Sequence, residues 1–272
     1  MSLPNKRGAK NLRIYGNAPF DVALIHGGPG AAGELAPVAR ELAKTHGALE
    51  PLQTRSTLQG QLQELKIVLE KSADLPVRLI GFSWGAFLSF IFAAGNPSLV
   101  KKLILVSSGV FEDKYAANIM RTRLSRLKEE ERRKVYSLMK ILDDPKGTNK
   151  DEILARFGDF IATADACDPL PDKSDVIECR YSIFERVWED AQQLRSSGKL
   201  LALGQHIRCP VVAIHGDYDP HPADGVRIPL SRVIKNFRFI LLENCGHRPW
   251  IERAAKNKFY DILREELRAS SL

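Results

Sequence analysis

Two stretches and one pentapeptide of this sequence carry the residue types for acyl-group chemistry. Gly81-Phe82-Ser83-Trp84-Gly85 fits G-x-S-x-G, and it does so once in 272 residues. A serine hydroxyl is a weak nucleophile until a base removes its proton, and that base needs a carboxylate to orient it. Both follow in chain order. "CPVVAIHGDYDPHP" (209–222) leads an apolar run into a turn with Asp217 and Asp219, and "FRFILLENCGHRPW" (237–250) leads the next run into a loop with His247. The residues alone leave two acids, and they leave His221 as a rival base only two positions past Asp219. His26 and His215 each end an apolar run in a His-Gly pair and read as turn supports. His46 and His206 have no site context.

Such a reaction also needs donors for a developing oxyanion. One is the backbone N–H of the residue after the nucleophile, Trp84. The other comes from a loop after an earlier strand. His26-Gly27-Gly28-Pro29-Gly30 stands there, with Gly28 bringing bare backbone close and Pro29 stiffening the loop. A donor of this kind is worth about 3 kcal/mol of barrier. The same stretch fits G-x-G-x-x-G through Gly28, Gly30 and Gly33, with Glu50 at about the distance of a ribose acid. Against dinucleotide binding stand the longer turn from His26 and Gly27, the stiff Pro29, and the ordered series of Ser83, an acid at 217 or 219 and a later histidine, which it leaves unexplained.

These residues need elements to hold them. Leu12–Tyr15, Val22–His26, Ala48–Glu50, Pro76–Phe82, Leu103–Val106, Val211–His215 and Phe237–Leu242 read as strands. Glu34–Lys44, Leu58–Glu70, Trp84–Gly95 and a closing segment from about Ile251 read as helices. Apolar strands alternating with amphipathic helices argue a parallel sheet covered on both faces. From about Glu112 to Gly204 the strand signal nearly vanishes. Charged helical stretches replace it, broken at 143–151 and 168–175. The expected organisation is a core of residues 1–111 and 205–272 with a helical cap at 112–204.

Composition excludes several classes. Hydrophobic content of 44% and charged content of 27% are ordinary for a globular protein. No apolar run approaches the roughly 20 residues of a membrane span, and the basic start lacks the apolar stretch of a secretory signal. The net charge of +7 centres on "RTRLSRLKEEERRK" (121–134), whose interleaved glutamates read as a solvated helix face rather than a nucleic-acid surface. Cys167, Cys179, Cys209 and Cys245 form no C-x-x-C pair and read as reduced thiols of a cytoplasmic protein. The histidines show no metal-site spacing, so no metal or organic cofactor is expected.

At the acid turn, Gly216-Asp217-Tyr218-Asp219, the sequence resembles the α/β-hydrolase superfamily over essentially the whole chain. That resemblance implies an α/β-hydrolase fold: a mostly parallel sheet flanked by helices, with an inserted helical cap. It implies Asp219 as the acid, since G-x-x-D presents its last residue, and His247 as the base. H-G-G-P-G is more specific and resembles the prolyl iminopeptidases, whose cap acids bind a substrate's free amine. Asp165, Asp168, Asp172, Glu178 and Glu185 are the candidates here. The expectation is an enzyme: a serine hydrolase of small carbonyl substrates (ester, amide, N-terminal peptide bond or diketone). Ser83, Asp219 and His247 would be catalytic, and Gly28 and Trp84 would form the oxyanion hole. Ser83 excludes a haloalkane dehalogenase, which needs aspartate there. A ligand-binding protein of the same fold is the alternative of another class.

Overall fold

The computed structural model describes residues 11–171, 175–177 and 179–268. Seven strands form one sheet among them: β1 (Leu12–Tyr15), β2 (Val22–Ile25), β3 (Ala48–Pro51), β4 (Val77–Phe82), β5 (Val100–Val106), β6 (Val211–Gly216) and β7 (Phe237–Leu242). Their order across the sheet is β1-β3-β2-β4-β5-β6-β7. Only β1 runs antiparallel to its neighbour. β2 and β6 are buried at every position, and β4 and β5 at all but one. Side chains buried on both faces explain why these strands read as continuous apolar runs rather than alternating ones.

The helices are α1 (Ala36–Leu42), α2 (Leu58–Ser72), α3 (Trp84–Gly95), α4 (Asp113–Ala116), α5 (Ile119–Arg126), α6 (Glu129–Asp143), α7 (Lys150–Asp165), α8 (Tyr181–Ser196), α9 (Lys199–Ala202), α10 (Asp224–Val233) and α11 (Lys256–Arg268). Helices α2 and α3 cover one face of the sheet through Leu65, Leu69, Phe87 and Phe90. On the other face α1 and α11 bury Val38, Leu42, Phe259 and Leu263. Among the described residues, six α-helices, α4 to α9, lie between β5 and β6. A separate small cluster of Leu127, Val135 and Ala164 joins α6 to α7.

Three differences from the sequence reading have local causes. Helix α1 is shorter than 34–44, because Gly33 at φ +99° still belongs to the turn and Pro37 sits in the first helical turn. Helix α10 carried no recognised signal: Pro229 lies inside it, where a helix ordinarily breaks. The closing segment opens with a single 3₁₀ turn at Pro249–Ile251 before α11 begins.

Candidate active site

Ser83 stands between the end of β4 and the first residue of α3, with φ 52° and ψ −116°. An L-residue there is strained, so its surroundings must hold it. They do so through the backbone: Ser83 N–H donates to the Val106 carbonyl of β5 (3.0 Å), and Ala86 N–H donates to the Ser83 carbonyl (3.0 Å). The flanking glycines are a matter of room. A Cβ at Gly81 would strike the Gly85 carbonyl, and one at Gly85 would strike the Ile25 and His26 carbonyls. Their absence lets the serine turn settle against the end of β2.

Two further strand ends converge on Ser83. His247, in the loop after β7, places Nε2 3.1 Å from Ser83 Oγ. Its Nδ1 lies 2.7 Å from Oδ2 of Asp219, in the turn after β6. Since a carboxylate only accepts, Nδ1 carries the proton and Nε2 is left to accept from the serine hydroxyl. Asp217 is occupied differently, its carboxylate accepting the Cys245 N–H at 3.1 Å to tie the two turns together. Burial works against the His247 cation, but the charge and hydrogen bond of Asp219 outweigh it and raise the imidazole pKa above its usual 6.5. Burial would raise Asp219, yet the attraction of His247 and the hydrogen bond from His221 hold its carboxyl well below the usual range.

His221, the rival base, keeps a defined geometry with Asp219 but points away from the base's role. Its Nδ1 donates to Oδ1 of Asp219 at 2.8 Å, and its backbone N–H donates to the same oxygen at 2.9 Å. No hydrogen bond links His221 to Ser83 among the described residues. His215 supports the turn, donating from Nε2 to the His221 carbonyl at 2.8 Å.

His26 supports the loop after β2. Nδ1–H donates to the Gly27 carbonyl (2.8 Å) and Nε2 accepts the Gln53 N–H (3.3 Å). Full burial pushes its pKa down to about 4, so the ring is neutral. Gly28 and Gly30 have φ of +32° and +84°. The dinucleotide reading meets two obstacles. Arg180 N–H donates to the Gly30 carbonyl (3.0 Å) and Ile177 N–H to the Ala32 carbonyl (2.9 Å), so backbone from the helical segment already pairs with the glycine turn. Glu50 is buried beneath Tyr15, which donates to it at 2.7 Å, and near Arg13 at 3.6 Å.

A cavity of about 500 Å³ opens on Ser83, Gly28, Trp84 and His247. Its far wall is apolar: Ile119 of α5, Phe157 and Ile161 of α7, Phe184 and Trp188 of α8. The Phe184 and Trp188 rings stack at 9° with centroids 6.3 Å apart.

Comparison with known proteins fits this geometry. The sequence matches the family described as "alpha/beta hydrolase fold" over residues 57–254. This chain belongs to that family. Solved structures share the fold of this α/β-hydrolase across nearly its whole length. VinJ is 18% identical at TM-score 0.66, with 94% of this chain and 93% of that chain covered. A putative lipase from Acinetobacter baumannii is 17% identical at TM-score 0.62, with 93% and 87% covered. A thermophilic esterase from Thermogutta terrifontis is 16% identical at TM-score 0.61, with 94% and 92% covered. No curated protein matches the sequence. No helix among the described residues is long and apolar enough to cross a membrane.

The acids expected in the hydrolase's helical segment have varied fates. Asp165 lines the cavity but is locked in a two-point ion pair with Arg123, at 2.8 and 2.7 Å. Its carbonyl also accepts the His247 N–H at 2.9 Å. Asp168 is exposed and pairs with Arg253, and Glu185 accepts from Tyr181. Asp172 and Glu178 lie outside the described residues. Sequence reasoning missed Arg123, Glu34 and Glu252 as cavity residues. Glu252 has no exposed surface and accepts the backbone N–H groups of Cys167 (3.0 Å) and Asp168 (2.8 Å), pinning the segment after α7 to the His247 loop. Its position five residues past His247 was the available signal.

The ligand atoms of Asp219, His221 and His247 lie within 4.8 Å of one another, close enough to hold a metal ion. Both Nδ1 atoms, however, already donate to Asp219. A metal at this carboxylate would have to displace both protons. All four cysteines are free thiols.

Proposed function

We propose that this α/β-hydrolase is a serine hydrolase acting through an acyl-enzyme. The observation that carries the reading is the hydrogen-bonded chain Ser83–His247–Asp219, at 3.1 and 2.7 Å, drawn from three strand ends onto one cavity. Ser83 Oγ attacks a carbonyl carbon while His247 Nε2 takes the hydroxyl proton. Asp219 stabilises the imidazolium that forms and keeps its own charge. The carbonyl oxygen becomes an oxyanion, held by the backbone N–H groups of Gly28 and Trp84. Trp84 opens α3, so its N–H has no partner within the helix, and the helix dipole favours negative charge there. His247 then protonates the leaving group, and the acyl group remains on Ser83. Water, deprotonated by His247, attacks the ester and releases the acid. The active constellation belongs to residues 1–111 and 205–272, and we assign 112–204 as a cap that shapes the cavity.

The apolar wall favours esters of apolar acids among the small carbonyl substrates. Some structural neighbours are described as a putative lipase and a thermophilic esterase, which agrees with that class. The prolyl iminopeptidase-type reading rests on His26-Gly27-Gly28-Pro29-Gly30. It needs an uncommitted carboxylate for the substrate ammonium, whereas Asp165 and Glu252 are both engaged. Free thiols throughout suit a reducing compartment, so we place the enzyme in the cytoplasm.

A panel of p-nitrophenyl acetate, butyrate and octanoate against proline-β-naphthylamide tests the assignment. The expected result is turnover of the esters, fastest with an apolar acyl chain, and its loss in Ser83→Ala. Faster cleavage of the naphthylamide would establish the aminopeptidase. No turnover of any member would favour the ligand-binding alternative.

A further inference from the structure

Asp219 is shared by two imidazoles, and the mechanism above uses one. Oδ2 receives His247 Nδ1–H at 2.7 Å, while Oδ1 receives the His221 backbone N–H at 2.9 Å and His221 Nδ1–H at 2.8 Å. The two rings are tilted against each other with centroids 4.9 Å apart. His221 is itself held, since His215 Nε2–H donates to its carbonyl at 2.8 Å and the same nitrogen lies 3.7 Å from Oδ2. The carboxylate therefore has one oxygen fully committed to His221 and the other aimed at the base.

We propose that His221 is a positioning residue: its neutral imidazole clamps Oδ1 of Asp219, fixing the carboxylate for His247 and drawing part of its negative charge away from the base. This inference rests on the Ser83–His247–Asp219 reading. Neutrality follows from the surroundings. Burial disfavours a His221 cation more than Asp219 favours it, Arg123 and His247 add to the penalty, and the ring's pKa is pushed down to about 4. Throughout the working range of His247, then, His221 acts as a donor and not as a charge. The charged and titratable groups around the pair are Asp219, His215, Asp165 and Arg123. The last two neutralise each other in their own ion pair. What remains to set the basicity of His247 is Asp219, and His221 shares it.

Removing the donor has two consequences of known sign. Asp219 loses a restraint, which slows the chemical step. Its charge also falls more fully on His247, which stabilises the imidazolium and moves the rising limb of the pH–rate profile to higher pH. A hydrogen bond to a charged group corresponds to about tenfold in kcat. The limb is expected to move by about half a unit to one unit.

The test compares wild type, His221→Phe and His221→Asn as the full chain, with p-nitrophenyl butyrate, measuring kcat, KM and the pH dependence of kcat/KM. His221→Phe keeps the backbone N–H and loses the ring donor. It should lower kcat about tenfold with KM little changed, and move the limb upward. His221→Asn restores a donor at the Nδ1 position, and should return the limb and recover much of the lost rate. Thermal melts show whether each variant is folded. Should His221→Phe fail to fold, nitrogen-15 spectra of the wild-type histidines decide instead. Neutral His221 protonated at Nδ1 from pH 5 to 8 supports the proposal. A cation, or a proton on Nε2, overturns it. So does a limb that stays in place in folded His221→Phe, or one that moves equally in His221→Asn. Failure of the parent reading looks different: Ser83→Ala or His247→Ala would then keep the wild-type turnover.

Discussion

Helix α3 buries ten of its twelve residues, whereas α6, α7 and α8 bury three each across fifteen or sixteen. Both regions reach the same cavity, the first through Trp84 and the second through α7 and α8. The first lies against a sheet whose central strands are buried nearly throughout, and it holds Ser83 in a strained conformation. The second is made of amphipathic helices with few buried residues each, α7 and α8 lining the cavity and α6 packing on α7. A strained residue needs a rigid frame, because the frame has to make up for the strain. A cavity wall needs only shape and polarity, so it tolerates thin packing. The comparison implies that substitutions near β4, β6 and β7 change rate or stability steeply, and those on α7 and α8 change which substrate is preferred.

The largest expected effect separates two aspartates within one turn. Asp219→Asn should lower kcat by about 10⁴-fold, because the amide orients His247 in the wrong tautomer. Asp217→Asn should cost far less, since the Asp217 carboxylate accepts the Cys245 N–H while His247 Nδ1 lies on Asp219. Steady-state kinetics on an ester decide this, and equal losses would remove Asp219 from its assigned role.

A second contrast uses two glycines. Gly85→Ala places a methyl group against the backbone carbonyls of Ile25 and His26 and should destabilise the fold by about 3 kcal/mol. Gly158→Ala, within α7, meets nothing within 4 Å and should stabilise by about 0.5–1 kcal/mol through helix propensity. Urea unfolding at pH 7 measures both. Similar signs would erase the distinction between the two regions.

Acid should weaken the core frame in a defined window. His26 and His221 have folded pKa values pushed down to about 4, first of all by burial. An unfolded histidine titrates near 6.5, so between about pH 6.5 and pH 4 the unfolded chain binds protons that the folded one refuses. Stability falls as pH drops through that window, by up to about 3 kcal/mol for each ring. His247, with its raised value, acts in the opposite sense: its stabilising contribution is present at low pH and lost as pH rises through its folded pKa. Urea midpoints between pH 7 and 4.5 report the sum, and His26→Gln should flatten the curve. An unchanged slope would mean His26 is not held neutral.

The smallest effect belongs to the cavity wall. Phe184→Ala should change the ratio of octanoate to acetate ester turnover by about tenfold, on the scale of a few methylene contacts. The stability change should be modest, since Phe184 is only partly buried. An unchanged ratio would place Phe184 outside the acyl path.

What could be read in the sequence divides along the same line. Trp84–Gly95 and Phe237–Leu242 were legible to the residue: a helix buried on most sides leaves a dense apolar run, and β7, though interrupted by Arg238 and only partly buried, keeps five apolar residues in six. That Ser83, an acid and His247 should meet was legible from their order at three strand ends, whereas the choice of Asp219 over Asp217 came from the resemblance. The direction of β1 was not, since a four-residue strand carries no mark of its partner's orientation. Nor was the bond from His221 to Asp219, which depends on how one turn folds its two side chains together. Arg123 was read as part of a solvated basic run, although its guanidinium lies against buried Asp165. A charge pair between helices forty-two residues apart leaves no local pattern.

The most direct test is the reactivity of Ser83 toward a fluorophosphonate, followed by intact-mass and peptide mass spectrometry across pH. The account predicts one adduct per chain, on Ser83. Its rate should rise through a limb displaced above pH 6.5, because Asp219 raises the pKa of the base that must be neutral. Ser83→Ala should take no label, and His247→Ala should label far more slowly. An unmodified Ser83 in the folded wild-type protein, or equal labelling of the Ser83→Ala chain, would contradict it.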